Sequence, residues 1–371
     1  STCGAEATAT PRPTSTPAAT ATPTVVPTPT PNPACVVPGD GTLQAAIDNA
    51  PDGATVCLQA GTFSTTSASY VAVITKNLTL VGEGKARTFI DGNDTFGPTP
   101  SYAGIQIGAA NYSSQITVNI SDLTVRNARA KDGGAVLIYG RSGMSVSMTD
   151  VTIKDCVNGS GIAQFTGANG KLTATFTRVS VTGNTTDPST TRGGGMYLSG
   201  TVTLTDCDIT DNTAITEGGG IASGPGAVIA MTGGSIARNT AKFFSPGVYG
   251  NGGGLMFYYG ASSFTATNVS LVNNKAEGYG GLAHMEVVGN TLSLGGCTVT
   301  GNVGQTSCNC VSEQYVTCNA SYCTSAAAAL LSPRDTGMPT SLPEPLPGRM
   351  PDTRAALDGK VGSTYSSLKG Y

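Results

Sequence analysis

The chain has 371 residues, a formal net charge of −3, 12% charged residues and no tryptophan. A charge so sparse and balanced excludes electrostatic capture of nucleic acid or of an anionic membrane. No apolar run approaches the roughly 20 residues that span a bilayer, the longest candidate being AAAALL at 326–331.

Residues 1–34 form a Thr/Pro/Ala tract. Its prolines lock φ and remove backbone donors, so it favours extended polyproline II over a packed core. It reads either as a solvated linker or as an O-glycosylated stalk. A start at Ser1 without methionine fits removal of a secretion signal.

At Cys35 the character changes to CVVPGDGTLQAAIDNAPDGATVCLQAGTF, residues 35–63. Thr42 is placed to N-cap a short helix running through Asn49, with Leu43, Ala46 and Ile47 on one face and Pro51 and Gly53 beyond its end. Cys35 and Cys57 flank this helix and are expected to staple it. Together with KNLTLVGEG at 76–84, the segment resembles the opening of pectin-lyase-like right-handed β-helix proteins. That resemblance implies a helix plugging the first coil of a solenoid.

After an interval of 45 residues between Leu80 and Val125, a regular beat begins. Val125, Ile153, Val181, Ile209, Ile236, Leu271 and Val299 step by 28, 28, 28, 27, 35 and 28 residues. A fixed period of this size marks a solenoid, in which each repeat buries its apolar face only against its neighbours. Upstream of each anchor, apolar residues alternate, skip once and alternate again, as in Val202, Leu204, Cys207 and Ile209. Alternation puts successive side chains on opposite faces of a strand, so the skip is a corner.

A third apolar stretch follows, opened by GGAV at 133, GGGM at 193, GGGI at 218, GGGL at 252 or GGL at 280. Three short strands per turn describe a parallel β-helix. The 50 glycines suit its tight corners. Over residues 125–303 the repeats resemble those of the chlamydial polymorphic outer-membrane proteins, with GGAV at 133–136 matching their GGA[ILV] motif. ITDN at 209–212 and IARN at 236–239 match FxxN with Ile for Phe. Coils of this kind serve adhesins, surface fibres and polysaccharide enzymes alike.

Asn184, Asn212, Asn239, Asn274 and Asn302 fall three residues past the anchors, where stacked amides can bond along the axis. Cys156 interrupts that column. Asp122, Asp150, Arg178 and Asp206 share one corner column, with Asp208 and Asp211 nearby. They read as a charge ladder relieved by Arg178, or as a carboxylate groove for a cation or a polysaccharide. The one histidine, His284, aligns with Ile138, Leu198 and Phe257 as an inward or corner imidazole, the alternative being a ligand or proton-transfer group. Without Cys or acidic partners at ligand spacing it makes no zinc site.

The 35-residue coil inserts FFSPGVYGN at 243–251 and gathers Phe243, Phe244, Tyr249, Tyr258 and Tyr259, either as a contact surface or as a self-packed loop. Ten cysteines point to an oxidising compartment. Cys308, Cys310, Cys318 and Cys323 crowd after the last repeat as a disulfide-linked cap or a metal knuckle, with pairing open. Cys207 and Cys297 read as buried thiols, and Cys3 has no evident partner. Sequons at Asn77, Asn93, Asn111, Asn119, Asn158, Asn268 and Asn319 are candidate N-glycosylation sites. An eighth, Asn184, belongs to the inward ladder and is expected to stay bare.

The expected organisation is therefore an extended arm at 1–34, an all-β right-handed parallel β-helix with its N-terminal cap at 35–303, a Cys-rich cap at 304–325 and a Pro-rich extended arm at 326–371. Two such arms flanking a rod suit head-to-tail self-association into filaments. A secreted, glycosylated, non-catalytic structural protein without cofactor is the expectation, with a polysaccharide lyase or hydrolase and a monomeric adhesin as alternatives.

Overall fold

A computed structural model describes residues 35–66, 70–93, 103–129, 133–166, 172–187, 192–244, 250–286 and 289–304. The arm 1–34, nearly all of the 304–325 cap and the arm 326–371 lie outside them, as do Cys3, Cys308, Cys310, Cys318, Cys323, Asn319 and Tyr249.

The described chain is a parallel β-solenoid of about eight turns, nearly all β. Each anchor pairs with the next in register: Val125 with Ile153, Ile153 with Val181, Val181 with Ile209, and on through Ile236 and Leu271 to Val299. The column also extends upstream through Phe63 and Ile90. The long interval after Leu80 is therefore one further coil, holding strands Thr88–Asp91 and Ala103–Ile107.

The skip in the alternation is a corner, as its spacing implies. Asp122, Asp150, Arg178, Asp206 and Asn268 occupy it with φ between 51° and 59°, and Gly233 and Gly296 replace them at 68° and 62°. Asn and Asp tolerate this left-handed conformation better than most side chains, and glycine adopts it freely. A second left-handed corner just before the asparagine column is built by Asn127, Asp155, Gly183, Asp211, Arg238, Asn273 and Gly301. Gly193 opens the third strand at φ 81°, and a Cβ there would overlap the Met196 carbonyl.

The asparagine column is fully buried from Asn184 through Asn274. The backbone N–H and the Nδ2 of Asn212 both donate to Oδ1 of Asn239 at 3.0 Å, and Nδ2 also donates to the Val181 carbonyl at 2.8 Å. The same pattern recurs at Asn184, Asn239 and Asn274. Each amide thus satisfies a turn N–H and an anchor carbonyl while tying three successive coils together. At Cys156 only the backbone N–H takes part, donating to Asn184 Oδ1.

The helix Thr42–Asn49 covers the first coil with Leu43 and Ile47 buried. Its cap differs from the sequence expectation. Gly41, at φ 68°, is the N-cap and supplies no side-chain bond, while Thr42 is the first helical residue and its hydroxyl donates to the Gly39 carbonyl. The bend at Gly41 needs a left-handed residue, which a β-branched Thr cannot supply cheaply. Lys76 Nζ donates to the Ala50 and Asp48 carbonyls at the helix end, and Cys35 and Cys57 form a disulfide as expected.

Replacing Asn212 by Ala orphans the buried backbone N–H of Asn184 and the Val181 carbonyl. The variant is expected to lose about 3 kcal/mol or more of unfolding free energy in urea titration, whereas Asn119→Ala, on an exposed sheet face, should change it by less than about 0.5 kcal/mol.

Candidate functional site

The stacked carboxylates were the sequence's strongest route to catalysis, and the structure shows how they are engaged. Arg178 Nε and Nη2 donate to the two oxygens of Asp150 at 2.9 and 2.6 Å, one coil apart at the first corner. This bond, more than the charge alone, holds the Asp150 carboxyl below the usual range. At the second corner Arg238 grips Asp211 in the same two-pronged manner, at 2.7 Å on each arm, with the same effect on its acidity. Nearer the start of the solenoid Arg126 pairs with Asp91 at 2.7 Å. A glycosidase acid needs a carboxyl that keeps its proton near neutrality; Asp150 and Asp211 are pushed the other way. Among the described residues no group of three or more His, Cys, Asp or Glu side chains is placed to hold a metal ion.

His284 requires a correction of register. It pairs with Met256, and Phe257 pairs with Met285. His284 therefore belongs to the outward column that includes Tyr197, Ala222 and Met256, not to the inward one of Ile138, Leu198 and Phe257. In GGL at 280–282, Leu282 takes the place that the third glycine fills in GGGL, so aligning on the leucine shifts the strand by one and reverses its faces. The imidazole stacks on Tyr279, with ring centres 6.1 Å apart. Burial pushes its pKa down to about 4, so it is neutral near pH 7.

That outward column belongs to an aromatic stripe along the third sheet. Tyr112 meets Tyr139 edge-on at 5.5 Å, Tyr139 stacks on Phe165 at 6.2 Å, and Phe165 leans on Tyr197 at 5.3 Å. Arg192 lies over the Tyr258 ring, with Cζ 3.6 Å from its centre, and its Nε bonds Glu217 at 2.7 Å. Burial works against the Arg192 charge, but Glu217 and the phenol of Tyr258 more than offset it and hold the guanidinium above its ordinary value. Burial likewise raises the Tyr197 phenol.

Of the expected contact residues, Tyr258 and Tyr259 pack edge-on at 5.0 Å, while Phe243 and Phe244 are 43% and 54% exposed. The sequence reading missed Tyr139, Phe165, Tyr197 and Arg192. For Tyr197 the readable signal was the aromatic following the strand-opening apolar residue in GGGMY at 193–197.

Cys156 and Cys207 are buried and Cys297 is half-buried; burial pushes the Cys207 thiol up to about 11. The described sequon asparagines differ sharply in surroundings. Asn93, Asn111, Asn119 and Asn268 are exposed. Asn77 Nδ2 donates to both oxygens of Asp52 at 3.1 and 2.9 Å, and its Oδ1 accepts from the Thr117 N–H. Asn158 lines a shallow groove of about 300 Å³ with Arg129, Thr185 and Asp187. Asn184 is fully buried in the ladder.

No family model, no curated protein and no solved structure matches the chain.

The depressed pKa of His284 has a signed consequence. An unfolded imidazole takes up a proton near pH 6.5, whereas the folded one resists until about pH 4. Its contribution to stability is thus complete above pH 6.5 and is lost as the pH falls through this window. Thermal melts between pH 7 and pH 4 should show a fall in melting temperature that is shallower in His284→Gln.

Proposed function

We propose that the protein is a secreted, glycosylated structural scaffold, a right-handed β-helix of the pectin-lyase-like kind, without catalysis. The observation that carries this reading is the use made of the stacked carboxylates. Asp150 and Asp211 are each held ionised by a two-pronged arginine one coil away, an arrangement that stitches coils together and leaves neither as a proton donor. The Cys35–Cys57 disulfide supports an oxidising compartment. No helix among the described residues is long and apolar enough to cross a membrane. In this reading the Pro-rich arms link successive copies head to tail, and the exposed aromatics Phe243 and Phe244 contribute to such contacts.

Electron microscopy of native material should show filaments, which Phe243→Ala/Phe244→Ala shortens or removes without lowering the melting temperature; monodisperse particles favour the monomeric adhesin. Incubation with pectate and alginate should release no oligosaccharides, and release that Asp150→Ala abolishes establishes the lyase or hydrolase instead. Glycopeptide mass spectrometry should find sugar on the exposed Asn119 and Asn268 and none on Asn184. Sugar on Asn77 would displace its bonds to Asp52, so occupancy there is expected to be low.

A further inference from the structure

The outward side of the first sheet differs from that of the second in carrying no charge. Along the axis from Thr117 to Gly295, the strands of this face stay in register, residue for residue. In strand Thr173–Thr177 the outward residues are Thr173, Thr175 and Thr177. In the next coil they are Thr201, Thr203 and Thr205. The coils on either side put Thr, Ser, Asn, Val, Ala or Gly at the same positions, and none carries a charge. Thr173, Thr175 and Thr203 are exposed.

Threonine favours any exposed strand, so its abundance alone decides little. The neighbouring second face is a control with the same strand geometry, and its outward positions include Arg126, Lys154 and Asp208. Strand propensity acts on both faces alike; only the first is free of charge. The hydroxyls of Thr173, Thr175 and Thr203 bond to no other described residue, whereas toward the start of the face the Ser147 hydroxyl donates to Asn119 Oδ1.

We propose that this face binds ice. The columns form a two-dimensional lattice, repeating roughly every 4.8 Å from coil to coil and roughly every 6.6 Å between alternate residues of a strand. β-Branched side chains hold their χ1 angles closely, so the threonine hydroxyls and methyls keep fixed places on the registered strands. A soluble polymer repeats in one direction only. A crystal surface repeats in two, and ice presents oxygen rows at spacings of a few ångströms. The charge match is one of neutrality: an ionised side chain orients its hydration shell around itself and breaks a water lattice, while a Thr hydroxyl replaces a lattice water and its methyl fills the space between. The inference stands apart from the scaffold reading and holds whether or not filaments form.

The test is ice growth in a nanolitre osmometer with the full chain, beside Thr203→Lys at the centre of the first face and Thr210→Lys on the second face. Circular dichroism and melting must match the parent for both variants. The parent and Thr210→Lys should facet ice crystals and hold them static below the melting point, while Thr203→Lys loses both effects. Round crystals that grow freely with the parent overturn the proposal, as does equal loss in the two variants. Sedimentation showing a dimer that Thr203→Lys dissolves, without any effect on ice, assigns the face to a second copy and overturns it too.

Discussion

Everything in this molecule depends on holding one coil in register with the next, and the buried asparagine column is the interaction that does so most specifically. The apolar anchors would tolerate sliding along the axis by a whole coil, because Val, Ile and Leu in an inward column are nearly interchangeable. A fully satisfied buried amide is less forgiving. Asn239 Oδ1 accepts two donors from the coil before, and its Nδ2 reaches both the Ile209 carbonyl and the next asparagine. Slippage by one residue would bury four unpaired groups at each level, and such groups are expensive in an interior without water.

The corners follow from that constraint. With coils fixed in register, each left-handed corner residue sits directly above its counterpart, and like charges would stack. The chain alternates signs where this matters, placing Arg178 against Asp150 and Arg238 against Asp211. These pairs are half or more exposed on the arginine side, so their contribution is modest and falls with salt. Their larger effect is chemical. Asp150 and Asp211, two of the aspartates that looked like a catalytic row from their spacing, are joined to arginines from adjacent coils, which keeps them ionised.

Much of this was readable because the solenoid repeats its physics. The anchor column, the first corner and the asparagine ladder each appear several times at one spacing, so a single noisy coil cannot hide them. The features that were missed are those that occur once or break the period. Leu282 in place of a third glycine displaced the reading of His284 by one residue. The coil that begins at Leu78 and ends before Val118 was obscured because it is longer in sequence than the 28-residue period of the others. Gly41 rather than Thr42 caps the helix because the entering chain needs a left-handed bend, which composition alone does not reveal. Most of the aromatic stripe was missed for another reason: Tyr139 and Phe165 are brought together only by pairing of the third strand.

The three faces of the rod thus carry different surfaces on one repeating frame, neutral hydroxyls on the first, charged residues among hydroxyls on the second and packed aromatics on the third. Interchangeability of coils is the claim that unites them, and it can be tested by removing one. Deleting residues 183–210, a full 28-residue period of the ladder, joins Thr182 to Asp211 at equivalent positions. The melting curve of this shortened protein should stay cooperative, with the β signal in circular dichroism retained, while a deletion of half that length from the same start abolishes both. Loss of the cooperative transition in the full-period deletion, or its survival in the half-period one, would contradict the account.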